Sequence, residues 1–109
     1  MADLRLSLYG KQGCAKCQAA RKKLGFFLDK WGYNGRIEFV YWDMETEDGL
    51  TEASFNDVFD TIPTVVVEER GRGVARWDGR APESNELRLC IDSALGAPRS
   101  ADAQTSSRP

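Results

Sequence analysis

The sequence predicts an α/β fold, a four-stranded mixed sheet with helices on both faces, and three observations carry the prediction. Short alternating or apolar runs of strand type are interleaved with segments of helical periodicity in the order strand, helix, strand, helix, strand, strand, helix. A right-handed crossover through the first helix makes the first two strands parallel, and a later hairpin supplies antiparallel pairing. At 109 residues the chain is long enough to bury one core without disulfides or metals.

Leu4, Leu6 and Leu8 alternate with Arg5 and Ser7, the period of a strand that ends near Tyr9. Gly10 to Gly13 form the turn after it. From Ala15 onward Cys17, Ala20, Leu24, Phe27, Leu28 and Trp31 recur at helical spacing between Lys16, Arg21, Lys22, Lys23 and Asp29. An interior glycine costs about 1 kcal/mol relative to alanine, so Gly25 marks a place to kink, yet the period continues to Trp31 and Gly32 stops it. Arg36 to Asp43 holds Ile37, Phe39, Val40, Tyr41 and Trp42, and reads as a central, largely buried strand. The acidic stretch Asp43 to Asp48 leads into a helix over residues 50–59, with Ala53, Val58 and Phe59 as anchors and the acids favourable near its start. Thr64 to Glu68 is the third strand, Arg70 to Gly73 a hairpin turn and Val74 to Trp77 the fourth strand. Pro82 and Ser84 open a last helix to Leu95 with Leu87, Cys90, Ile91, Ala94 and Leu95 on one face.

The expected domain covers residues 1–96. Residues 97–109 contain no apolar side chain larger than alanine or proline, cannot offset their ordering entropy and are expected to form a disordered tail.

Composition removes several classes of function. The formal charge is −2 and the lysines and arginines are scattered, so there is no basic face for nucleic acid. No stretch approaches the roughly 20 apolar residues of a membrane span, and the first residues lack a basic segment followed by a long apolar run; a cytoplasmic protein is expected. Without histidine there is no Cys–His dyad, no Ser–His–Asp triad and no His-containing zinc site. Of three cysteines, two form a close pair, and such a pair in a reducing compartment is catalytic or metal-binding rather than a structural framework.

Cys14 and Cys17 enclose Ala15 and Lys16 between the first strand and the first helix. A cysteine at the mouth of a helix meets unpaired N–H groups and the positive end of the macrodipole, which can bring its pKa from about 8.5 to about 7 or below. Cys14 is the expected nucleophile. Cys17 lies one helical turn later and can resolve a mixed disulfide formed at Cys14. Cys90, on the inward stripe of the last helix, is expected to be a core residue.

With Thr61, Ile62, Pro63 and Thr64 ahead of the third strand, the chain resembles the thioredoxin-fold superfamily, in particular its glutaredoxin-like small redoxins, over about residues 3–96. The resemblance implies a thioredoxin/glutaredoxin-like fold with Pro63 cis beside the dithiol and the backbone of Ile62 offered to substrate. Tyr9, Lys11 and Cys14 match the family's Tyr-x-Lys-x-x-Cys lead-in, which assigns Lys11 to thiolate stabilisation or to a glutathione carboxylate; a cation there lowers a thiolate's pKa. Lys16 adds to the same field. The departures concern substrate choice. Ala15 and Lys16 replace the glutaredoxins' Pro-Tyr or Pro-Phe, and Arg76, Trp77, Asp78 and Gly79 stand where those proteins have a Gly-Gly turn followed by acidic residues. Gly13 precedes Cys14 where thioredoxins have tryptophan, and Leu8 holds the place of their buried acid.

The implied activity is that of a thiol–disulfide oxidoreductase, an enzyme reducing protein disulfides, ribonucleotide reductase among them, as a monomer without cofactor or metal. Its reductant is thioredoxin reductase or glutathione. Two other classes stay open at this point: a soft-metal or iron–sulfur carrier using the Cys14 and Cys17 thiolates, and a non-catalytic thioredoxin-fold interaction module. Asp78, Trp42 and Trp77 are expected to serve turn and packing roles, and Glu45, Glu47, Asp48 and Glu52 a solvated helix face. Truncation after Gly96 is expected to leave the melting temperature and disulfide-reductase activity unchanged, and a loss of either would show that the tail docks on the domain.

Overall fold

In the computed structural model, which describes residues 4–33 and 35–95, Leu4–Gly10 (β1) lies at the centre of a four-stranded sheet. It runs parallel to Ile37–Asp43 (β2) on one side and antiparallel to Thr64–Glu69 (β3) on the other, and Arg72–Asp78 (β4) pairs antiparallel with β3. The spatial order is β2-β1-β3-β4. Helices Ala15–Lys30 (α1), Glu47–Phe55 (α2) and Ser84–Leu95 (α3) complete the unit. The expected tail lies outside the described residues.

The two faces of β1 separate two cores. Leu4, Leu6 and Leu8 pack with Ala20, Leu24 and Leu28 of α1 and Leu87 and Ile91 of α3, whereas Tyr9 on the other face joins Met44, Ala53, Val58 and Val66 beneath α2. Period-2 alternation on the strand and period-3.6 stripes on the helices therefore meet as the sequence predicts. Both α1 and α2 end in Schellman motifs. Gly32 (φ 74°) lets the Tyr33 N–H donate to the Leu28 carbonyl at 2.9 Å, and Asp57 (φ 56°) lets the Val58 N–H donate to the Ala53 carbonyl at 2.8 Å. Tyr33 and Val58 are thereby folded back into the two cores.

Four expectations need correction. β2 is an edge strand, half-buried along Phe39 to Asp43; its aromatic rings cover the flank of the sheet rather than its middle. The second helix begins earlier and stops earlier than predicted, because Thr46 caps it by accepting from the Gly49 N–H at 3.1 Å and the Asp57 turn ends it. Phe59, one residue past Val58, consequently points outward and is 65% exposed instead of anchoring the core. Cys90 is half-buried at the rim of the larger core rather than sealed within it, and burial raises its thiol pKa. Gly25 does not interrupt α1. The hairpin turn is tighter than expected: Arg70 and Gly71, both at positive φ, join β3 to β4, and Val74 is left out of the ladder at a bulge opposite Val67 and Glu68.

A charged residue is enclosed in the smaller layer. Glu68 is 3% exposed; its carboxylate accepts from Arg5 Nε at 2.6 Å and lies 3.4 Å from both Ser7 Oγ and Asn56 Nδ2. Asn56 also donates to the Tyr9 hydroxyl at 2.7 Å, and burial with the charges of Glu68 and Glu52 pushes the Tyr9 pKa up to about 12. Replacing Arg5 by leucine strands the carboxylate without its cation, and an unpartnered buried charge costs roughly 3–5 kcal/mol. Urea unfolding of Arg5→Leu is expected to show a loss of that size; a loss below about 1 kcal/mol would mean that Glu68 reaches water when Arg5 is absent.

Candidate active site

The turn after β1 delivers a cysteine to the mouth of α1. Cys14 is the N-cap residue, with extended backbone (φ −92°, ψ 108°), and its Sγ accepts from the Cys17 N–H at 3.1 Å while its carbonyl accepts from Gln18 N–H at 3.0 Å. A sulfur thus occupies the place usually taken by a serine or aspartate oxygen. The first turn of α1 contains no acidic residue to compete for the helix's positive end, and Lys16 adds a cation.

Cys14 and Cys17 are joined as a disulfide, with their Cα atoms 5.1 Å apart. Their surroundings differ. Cys14 is half-buried and open to solvent on one side, whereas Cys17 is fully buried. Cys17 reaches the end of β1 because position 10 is glycine: a Cβ there would stand 2.7 Å from Cys17 Cβ and Sγ and 2.9 Å from the Tyr41 hydroxyl. The strand end, the buried cysteine and the β2 tyrosine meet at that backbone.

The segment before β3 forms the neighbouring wall. The Ile62–Pro63 peptide is cis, Pro63 is buried, and Ile62 packs against the cluster that contains Tyr9 and Met44. Thr64 Oγ1 donates to the Thr61 carbonyl at 2.6 Å and closes the turn. Thr64 is also the register partner of Tyr9, so Pro63 comes alongside the Gly10 end of β1. Pro63 then lines a cleft of about 310 Å³ together with Lys16, Ala19, Ala20 and Lys23 of α1 and Arg80, Ala81 and Glu83 of the segment before α3. Across this cleft Lys23 Nζ lies 3.7 Å from Glu83, and Arg80 binds Glu86 with two hydrogen bonds of 2.9 and 3.0 Å, holding that carboxyl at about 2. A larger cleft, about 430 Å³, lies between Phe27, Lys30 and Trp31 and the first turns of α3; Phe27 is ten residues beyond Cys17, about 15 Å along the helix, so this cleft is separate from the cysteines.

The fold brings four of the five sequence-predicted site residues, Cys14, Cys17, Ile62 and Pro63, to one end of the sheet. Lys11 sits in the exposed turn before Cys14, where its backbone is already engaged. Asp78 is paired with Arg76 at 2.8 Å and lies 3.5 Å from Thr64 Oγ1, a structural position at the end of β4. Trp42 donates to Ser7 Oγ at 3.2 Å beneath the Arg5 guanidinium, and Trp77 packs on the core. Sequence reading missed Tyr41, Gln18 and Arg21. The Tyr41 hydroxyl donates to the Lys11 carbonyl at 3.0 Å, Gln18 Nε2 lies 3.3 Å from both, and the Arg21 guanidinium stands 4.6 Å above the Tyr41 ring. The available signal was the i, i+3 spacing of Gln18 and Arg21 on α1, a polar ridge beginning one residue after Cys17. Among the described residues no group of three or more His, Cys, Asp or Glu side chains converges as a metal site, and no helix is long and apolar enough to cross a membrane.

No protein-family model matches the sequence, and no curated protein matches it. Solved structures do resemble it. Thioredoxin 1 from the thermophilic eubacterium Thermosipho africanus superposes with a TM-score of 0.66 at 18% identity, over 88% of this chain and 99% of that one. The thioredoxin of Fasciola hepatica gives 0.65 at 20% identity, over 85% and 82% of the two chains. Thioredoxin-2 of the malaria parasite, described as a component of its protein secretion machinery, gives 0.67 at 20% identity, over 83% and 82%. The mixed sheet and its three helices are those of the thioredoxin fold.

Proposed function

We propose that the chain is a thiol–disulfide oxidoreductase that reduces disulfides in proteins. The observation that carries this reading is the asymmetry of the pair: Cys14 is half-buried with its Sγ accepting from the Cys17 N–H in the first turn of α1, and Cys17 is fully buried. Hydrogen bonds and a helix dipole favour the charged form of a thiol, so reduced Cys14 is the thiolate and the attacking group. It attacks one sulfur of the substrate disulfide, forming a mixed disulfide and releasing the other substrate sulfur as a thiolate, which takes up a proton. The Cys17 thiol then loses its proton and attacks Cys14 Sγ, releasing the second substrate thiol. Two electrons pass to the substrate, and Cys14 and Cys17 become the disulfide seen here.

The cleft beside Pro63 supports a peptide substrate. Ala19, Ala20, Pro63 and Ala81 give it an apolar lining, and Lys16 is among its charged residues. In this reading the Ile62 backbone pairs with an extended segment bearing the substrate disulfide, and Lys11 and Lys16 supply positive potential toward the Cys14 thiolate. Each chain carries both cysteines, so a monomer suffices, and ribonucleotide reductase is one protein disulfide of the required kind. The scarcity of cysteine fits a reducing compartment such as the cytoplasm. Without an aromatic residue between the cysteines, the site offers glutathione no stacking surface there. A flavin-dependent thioredoxin reductase is accordingly the reductant of choice.

Two measurements test this reading. Cys17→Ser is expected to accumulate a mixed disulfide with insulin or a peptide disulfide, whereas Cys14→Ser has only background activity, and neutral iodoacetamide modifies Cys14 first; faster alkylation of Cys17 would reverse the roles. Oxidised protein supplied in parallel with thioredoxin reductase and with glutathione is expected to turn over faster with the former. Robust reduction of a glutathione mixed disulfide in a glutathione reductase-coupled assay would assign the chain to the glutathione system instead.

A further inference from the structure

Three donors converge on one backbone oxygen just ahead of the cysteine pair. The Lys11 carbonyl lies 3.2 Å from the Cys14 N–H, 3.0 Å from the Tyr41 hydroxyl and 3.3 Å from Gln18 Nε2. A carbonyl has two lone pairs, so this acceptor is fully engaged. Gln18 Nε2 also lies 3.4 Å from the Gln12 carbonyl and 3.3 Å from the Tyr41 hydroxyl. One side chain of β2 is thus tied to the turn before Cys14 and to the first turns of α1, with the Arg21 guanidinium covering its ring. The same hydroxyl stands beside the Gly10 backbone against which Cys17 rests.

We infer that Tyr41 is a positioning residue for the dithiol: by holding the Lys11 carbonyl it fixes the turn that aims Cys14 Sγ at the start of α1, and so sets the reduction potential of the Cys14–Cys17 pair. The inference rests on the redox reading above. In the disulfide, Cys14 sulfur is neutral and gains little from the helix N–H groups. In the dithiol it is charged and gains more, so accurate aim stabilises the reduced form selectively and makes the pair more oxidising. The phenol remains a donor throughout the working pH range, because burial and the neighbouring carboxylates of Asp43 and Glu45 raise its pKa against the opposing effects of Arg21 and Gln18. Arg21 on α1 and Asp43 and Glu45 at and beyond the end of β2 are the charged groups whose fields act on the hydroxyl.

Tyr41→Phe keeps the ring and its contact with Arg21 and deletes only the donor. Equilibration of purified protein in glutathione redox buffers, with the Cys14–Cys17 disulfide quantified after acid quenching, is expected to show the variant about three- to tenfold shifted toward disulfide, the worth of one hydrogen bond. Its alkylation profile at Cys14 moves to higher pH in parallel. Gln18→Met is expected to shift both readouts in the same direction and provides the test if Tyr41→Phe fails to fold. Leu87→Ala in α3 serves as the control: it lowers the melting temperature through a core cavity and leaves the redox equilibrium in place. An equilibrium for Tyr41→Phe within error of the unmodified protein, or an equal shift in Leu87→Ala, overturns the positioning role alone. A wild-type pair that forms no disulfide in any of these buffers overturns the redox reading and this inference together.

Discussion

The contact that shapes the site is the one between the end of the central strand and the second cysteine. Cys17 can lie against β1 only because Gly10 has no side chain, and that contact sets how near α1 comes to the sheet at its N-terminal end. Everything at the site follows from this spacing. With α1 drawn in, Cys14 falls at the N-cap, Cys17 is sealed beneath it, and the Tyr41 hydroxyl reaches across the strand end to the turn. Any side chain at residue 10 would have to displace either the buried sulfur or the phenol, and both are held by the packing of α1 and β2 on β1.

Around that contact the two layers divide their work by polarity. The α1/α3 layer is aliphatic against the sheet, Leu4, Leu6, Leu8, Leu24, Leu28, Leu87 and Ile91, and provides a stiff mount for the cysteine helix. The α2 layer is smaller and contains the Glu68–Arg5 pair, Asn56 and the Tyr9 hydroxyl. Burying a carboxylate is tolerable where a guanidinium and neutral donors surround it, and the directional bonds fix α2 and its following turn relative to β1 and β3. That turn leads straight into Thr61 to Pro63. The polar layer and the loop that borders the cysteines are therefore mechanically continuous.

Much of this was legible in the residues. The strand of alternating leucines, the helix from Ala15, the last helix and the cysteine pair all follow from strong local periodicity and one short motif, and tertiary packing leaves them unchanged. What escaped was whatever depends on which strand lies beside which. The apolar run from Ile37 to Trp42 has the composition of a central strand, yet β2 lies at the edge, where Tyr41 and Trp42 bind the polar groups of Gln18 and Ser7. Phe59 continued an apolar pattern that the left-handed Asp57 had already broken. Glu68 reads as an ordinary strand-end acid until the antiparallel register sets it opposite Arg5. Tyr41, Gln18 and Lys11 are separated by as many as 30 positions, and only the fold makes them neighbours.

The outer edge of β4 bears on association between molecules. An unpaired strand offers a row of backbone donors and acceptors to any extended segment, and proteins commonly blunt such edges with charges, bulges and twist. Here Val74 drops out of the ladder in the middle of the strand, Arg72 and Arg76 flank it, and Arg76 turns back to bind the carbonyls of Asn56 and Asp57. The available hydrogen-bonding run is cut into two short pieces on either side of the bulge. Sheet-to-sheet polymerisation through this edge is thereby disfavoured.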